Sequence, residues 1–144
     1  FLSGLCLVNA TGGNQDFTAS LSANKTALNA FLLGANAVNM ANMLSAQLTA
    51  MELNVRHPGV SGTALVYAPC LLNYAPILGL DSLGFISIND LMTAAASELC
   101  LHGLTPSGNQ FRAYQECLKT TLDNGNNNLN FVRSQPCSPF TCAQ

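Results

Sequence analysis

At 100° per residue, Leu33, Ala37, Met40, Leu44, Leu48, Met51 and Val55 fall on one narrow stripe. Met43, Ala46, Ala50 and Leu53 form a second apolar flank beside it. A helix apolar on two flanks packs between neighbours, so the pattern predicts a helix over about 36–55 at the centre of the fold. His57-Pro58-Gly59 ends it. A shorter helix precedes it over about 23–33, with Ser22 as its cap and Gly34 as its break.

The period then changes. TALVYA (63–68) and GFISI (84–88) are short β-branched and aromatic runs that suit strands. The 15 residues between them hold Pro69, Cys70, Pro76, Gly79 and Asp81, too many for a tight turn, so a surface excursion is expected. Ser87 followed by Asp90 reads as a capping-box start to a third helix carrying Leu91, Met92, Ala95 and Leu99, which stops at Gly103. Thr105-Pro106 opens a fourth, through Phe111, Tyr114, Cys117, Leu118 and Leu122, ended by Asn124-Gly125. The fold class is therefore mainly α: a single-domain helical bundle around a long buried central helix, with one short β-hairpin. An irregular N-terminal segment, 1–21, precedes the helical domain, 22–130, whose hairpin lies at about 63–88. A Cys/Pro-rich tail, 131–144, follows.

Charge changes the picture of the surface. Only 8% of the 144 residues are charged, against about 25% in an ordinary soluble domain, so the surface is neutral-polar. Hydrophobic residues at 49% exclude a disordered chain. Lys25, Arg56, Arg112, Lys119 and Arg133 are scattered singly and the net charge is −2, which excludes a phosphate-binding patch for nucleic acid. Sixteen Asn take the place of the missing charge, with clusters at Asn36, Asn39 and Asn42 and from Asn124 to Asn130. Such a surface is soluble but repels its own copies weakly. Residues 26–51 carry no charge and are long enough to span a bilayer, but five side-chain amides and the lack of an aromatic girdle assign them to a protein core. No signal peptide is recognisable at residue 1, and the abrupt Phe1 reads as a processed chain or a fragment.

Six cysteines, Cys6, Cys70, Cys100, Cys117, Cys137 and Cys142, occur without a CxxC pair. Zinc knuckles need that pair, so three disulfides in an oxidising compartment fit better. Fifteen connectivities are open. Cys137 with Cys142 can close a small loop, whereas Cys100 and Cys117 are out of register if the chain turns near Pro106.

Catalytic constellations are sparse. Glu98 and His102 share a helix face at i, i+4, but no third metal ligand and no HExxH motif accompany them. His57 lies in a loop, and Ser61 in GVSG reads as a turn. No nucleophile elbow, phosphate loop or dinucleotide fingerprint is present. No catalytic, cofactor-binding or metal-binding residue is assigned, and no cofactor is expected. Asn9-Ala-Thr11 and Asn24-Lys-Thr26 match the N-glycosylation sequon, making Asn9 and Asn24 acceptor candidates.

The stretches NMANMLSAQLTAMELNV (39–55), GTALVYAP (62–69), LGFISINDLM (83–92) and RAYQECLKTTLDNGNNN (112–128) resemble an uncharacterised helical module of bacterial secreted and cell-surface proteins. The AQLxAxELNV core is the most specific part. The resemblance implies an exported, non-enzymatic surface component and supplies no site residues. The expected function is an extracellular structural or interaction protein, a disulfide-stapled subunit self-assembling into a polymer or surface layer. A small secreted carbohydrate-binding module or enzyme using Tyr67, Tyr74 and polar amides is the alternative. Partners are copies of itself, other surface proteins or glycans. Phe1, Leu2, Leu5 and Leu7 form an apolar segment outside any regular element, and insertion into the next subunit would build a filament. The competing expectation is that residues 1–8 fold back, tethered by Cys6 to Cys100 or Cys137.

Overall fold

Asn39 is where the central helix begins. Its backbone is extended and its side-chain oxygen accepts from the Ala41 amide, so it caps α2, Met40–Arg56. This computed structural model describes residues 2–17, 21–57, 59–74 and 76–132. The expected start at residue 36 is four residues early. The Asn36 side chain instead accepts from the Val38 amide at 3.1 Å, and that local bond holds 36–39 in a turn. Met40, Leu44, Leu48 and Met51 are buried as the stripe requires, and Val55 is half-buried. Leu33 and Ala37 were expected on the same stripe and are exposed, because Leu33 belongs to a separate helix, α1, Leu21–Gly34. That helix includes Ser22 in its first turn, so Ser22 is not its cap, and among its described side chains only Phe31 is buried.

The fold is mainly helical with one small antiparallel sheet. After α2 come β1, Leu65–Tyr67, and β2, Phe85–Ser87, paired with Val66 opposite Ile86. Those two residues point into the core and are fully buried, while Leu65 and Tyr67 face outward. Phe131 bridges Val66 on the other edge of β1, and the Val132 amide donates to Leu65 O at 2.8 Å. The excursion between the strands is not free on the surface. It begins with a 3-10 helix, Pro69–Tyr74, whose Leu71 is fully buried and whose Cys70 is bonded to Cys117. Gly84 returns the chain at φ +89, and a Cβ there would meet Pro69 Cα at 3.0 Å, so the position requires glycine.

Ser87 caps α3, Ile88–Leu101, as expected, accepting from the Asp90 amide at 3.1 Å; its hydroxyl donates to the Asp90 carboxylate. α4, Arg112–Asn126, starts later than the Thr105-Pro106 signal implies. Pro106 to Asn109 closes a turn instead, with Gly108 at φ +82. The end of α4 is also displaced. Gly125 is inside the helix, and Asn128, at φ +57, takes the left-handed position past the end. Leu129 N donates to Asn124 O and Asn128 N to Gly125 O, which together form a Schellman motif built on Asn rather than Gly. α2, α3 and α4 share the core through Leu44, Leu48, Leu91, Leu99, Leu118 and Leu122.

The N-terminal segment belongs to the same core. Leu7 and Val8 are buried, Leu2 and Leu5 pack against them part-buried, and Val8 bridges Asn14. Two α2 side chains bracket the Val8 backbone: Ser45 Oγ accepts from its amide at 3.0 Å, and Asn42 Nδ2 donates to its carbonyl at 3.1 Å. Cys6 is bonded to Cys100 of α3. Leu2, Leu5 and Leu7, expected as contacts with another subunit, pack on their own domain in this chain, with the Cys6–Cys100 tether that the competing expectation names. Phe1, the fourth of those expected contacts, lies outside the described residues.

Candidate functional site

The sequence pair Glu98–His102 forms, at 3.0 Å, but it is one end of a buried polar network rather than an open site. Gln115 Nε2 donates to Glu98 Oε1 at 3.1 Å and to His102 O at 2.8 Å. Thr105 Oγ1 donates to Gln115 Oε1, and Asn39 Oδ1 accepts from the Thr105 amide at 2.9 Å. Asn39, Thr105 and Gln115 are buried with every one of these groups engaged, so the network ties the start of α2 to the α3–α4 connection. The His102 ring stacks on Phe111. Beside the network, burial and then the Glu98 carboxylate push the Tyr114 phenol above its ordinary pKa. Among the described residues no group of three metal-ligating side chains occurs.

A recess of about 510 Å³ opens between the C-terminal ends of α2 and α4. Asn54, His57, Ser61, Asn126, Asn128 and Phe131 give it its chemistry. Its amides are held by the fold. Asn54 Nδ2 donates to Asn126 Oδ1 at 3.0 Å, and Asn126 Nδ2 donates to Gln47 O and Oε1 at 3.1 and 2.8 Å. Asn128 is fixed by the Schellman turn, and Phe131 by its bridge to Val66. Ser61 keeps its expected turn role, its carbonyl accepting from Ala64 N at 3.0 Å. Among the described residues no Asp, Glu, Lys or Arg lines the recess. Nearby, Asn130 Nδ2 donates to Thr121 O at 3.1 Å, while its buried Oδ1 has no partner among the described residues. The sequence offered two separate turn signals here, His57-Pro58-Gly59 and the Asn124–Asn130 cluster. Nothing in it brings together positions about 70 residues apart.

The remaining candidates are dispersed. Cys6–Cys100 and Cys70–Cys117 are two disulfides, and Cys100 and Cys117, expected out of register with each other, are each bridged elsewhere. Cys137 and Cys142 lie outside the described residues. Asn9 Oδ1 accepts from the amides of Thr11 and Gly13 and from the Thr11 hydroxyl, in a turn whose Thr11 is exposed. Asn24 is half-buried in the first turn of α1. Tyr67 and Tyr74 do not form one platform, since Tyr67 packs on Phe85 and Tyr74 on Tyr114.

The two disulfides are compatible with a secreted protein. Among the described residues no helix is long and apolar enough to cross a membrane. Compared with protein-family models, with curated proteins and with solved structures, the chain matches none.

Proposed function

We propose that the chain is an extracellular structural or interaction protein, a disulfide-stapled subunit that associates with copies of itself, and not an enzyme. The observation that carries this reading is the crossed pair of disulfides, Cys6–Cys100 and Cys70–Cys117, which fastens the N-terminal segment to α3 and the 3-10 helix after β1 to α4. Ionisable side chains support it by their use. Glu52 pairs with Arg56, Glu98 with His102 and Gln115, Asp123 with Lys119, and Asp90 with Ser87. Each pairing is an internal brace.

With the N-terminal segment committed to its own domain, the contact surface in this reading is the outward face of the sheet. Leu65 and Tyr67 are each nearly half exposed there, with Phe85 beside Tyr67 and Val132 on the adjoining edge. A net charge of −2 repels a second copy only weakly. Sedimentation velocity over a concentration series, with disulfides intact, tests the reading. Association that disappears in Tyr67→Glu while the circular dichroism spectrum is kept supports it. A wild-type chain that stays monomeric at every concentration, or a native preparation with free thiols at all cysteines, overturns it.

A further inference from the structure

The recess at the ends of α2 and α4 is polar without being charged, and that combination selects a ligand class. We infer that it binds a neutral, polyhydroxylated ligand, a sugar ring of a glycan. The inference stands on the recess alone and holds for a monomer as for an assembly.

An anion or cation entering the recess would meet no Asp, Glu, Lys or Arg side chain among the described residues, and the two helix C-termini there offer a cation only partial charge. Taking an unpaired ion out of water is costly, so ionic ligands are disfavoured. A wholly apolar ligand is disfavoured for the converse reason, because it would cover Asn54 Oδ1 and the Asn128 amide without hydrogen-bonding to them. A sugar hydroxyl donates one hydrogen bond and accepts others, and a carboxamide both donates and accepts. The match is therefore group by group.

The polar groups are also available and held in place. Asn126 is fixed by its bonds to Gln47 and Asn54, which leaves Asn54 Oδ1 accepting from no described residue. The Asn128 amide and the His57 ring make no side-chain hydrogen bond to a described residue, although the backbones of both are anchored by helix-end bonds. Holding the donors and acceptors on two helix ends reduces the ordering cost of binding. Phe131 adds one half-buried ring to the apolar part of the wall, beside Val60 and Ala64, and offers a face for the C–H side of a sugar. Gly125 keeps the wall close to α2: a Cβ there would come 2.8 Å from Met51 Cε. The volume of about 510 Å³ lies within the ordinary range for small-molecule sites.

The test is a nuclear magnetic resonance titration of the full, disulfide-intact, isotope-labelled chain. N,N′-diacetylchitobiose, maltose and lactose are the neutral probes, and glucosamine and glucuronic acid the charged ones. We expect at least one neutral disaccharide to shift the side-chain amides of Asn54, Asn126 and Asn128 together with backbone amides in 59–61 and 125–131, and the charged sugars to shift none of them. Asn128→Gly keeps the left-handed backbone, since glycine is at home there, and removes one amide. It is expected to weaken binding roughly fivefold to tenfold, the effect of losing about one hydrogen bond, with an unchanged melting curve. No shift at the recess with any of the three disaccharides, equal shifts with the charged sugars, or wild-type affinity in Asn128→Gly would each overturn the inference.

Discussion

Asn42 and Ser45 lie in the interior of the most buried helix, where periodicity alone asks for apolar side chains. Both are nearly inaccessible, and both serve one backbone unit, the amide and carbonyl of Val8. A buried backbone group without a partner costs about as much as a lost hydrogen bond, so the N-terminal segment can enter the core only where α2 offers this donor and acceptor. Ser45→Ala should therefore lower unfolding free energy by about 1–3 kcal/mol, measured by urea denaturation, because it strands the Val8 amide. A loss near zero would mean that the segment is not docked through Val8. Tyr114 carries a pH-dependent prediction. Its phenol is pushed above its ordinary value in the folded chain, so the folded state keeps the proton at pH values where the unfolded state releases it. The associated stability is intact below the unfolded pKa of about 10 and is lost as pH rises through the folded value. Tyr114→Phe, which has no phenol to ionise, should show a smaller alkaline loss of melting temperature than the wild type. Parallel losses in the two proteins would refute the burial argument.

α2 was legible because its apolar positions recur over four turns, and no polar insertion on that stripe blurs the period. Met40 and Leu44 are buried in it, so Met40→Asp or Leu44→Asp should abolish the folding transition, since an unpaired buried charge costs several kcal/mol. Leu44→Ala is the milder variant, expected to cost about 2–5 kcal/mol by thermal or chemical denaturation. Wild-type stability in either Asp variant would remove α2 from the centre of the fold. The hairpin strands and the Ser87 cap were legible for similar local reasons: β-branched runs, and a serine three residues before an aspartate. Helix ends rich in asparagine were not. Asn36 bonds its own turn, Asn39 caps, and Asn128 adopts the left-handed turn usually given to glycine, so one residue type plays three parts that spacing does not separate. The start of α4 was misplaced because Pro106 suits a first helical turn but here opens a β-turn whose third residue, Gly108, has a positive φ and carries the chain away from a helix. The recess was illegible for a further reason: its two walls are the last turns of two helices and the turns after them, joined only by tertiary contacts such as Asn54 with Asn126.

The two disulfides cross in sequence, Cys6–Cys100 enclosing Cys70 while Cys117 lies beyond it, and between them they restrain most of the described chain. Bridges with separations of 94 and 47 residues each remove about 4–5 kcal/mol of unfolded-chain entropy in the loop-closure account. Crossing makes those terms non-additive, because closing one loop already shortens the other. They also act on different parts of the fold. Cys70–Cys117 joins the 3-10 helix after β1 to α4, inside the core, with Leu71 buried next to it. Cys6–Cys100 fastens a segment that reaches the core mainly through Leu7 and Val8 and that has few regular backbone bonds of its own. Replacing both residues of the Cys6–Cys100 pair with serine should therefore loosen the segment before it loosens the helices. Hydrogen exchange measures this residue by residue. The amides of Val8, Asn9 and Gln15, which donate to Ser45 Oγ, Gly13 O and Leu7 O, should exchange faster in the variant, while those of α2 keep most of their protection. If the protection of α2 falls by the same factor as that of Val8, the segment is an inseparable part of one cooperative core. If neither changes, the polar notch of Asn42 and Ser45 holds the segment without its covalent tie. Only the first pattern, local loss with the helices protected, agrees with a segment docked by two hydrogen bonds and two buried side chains and secured by a disulfide.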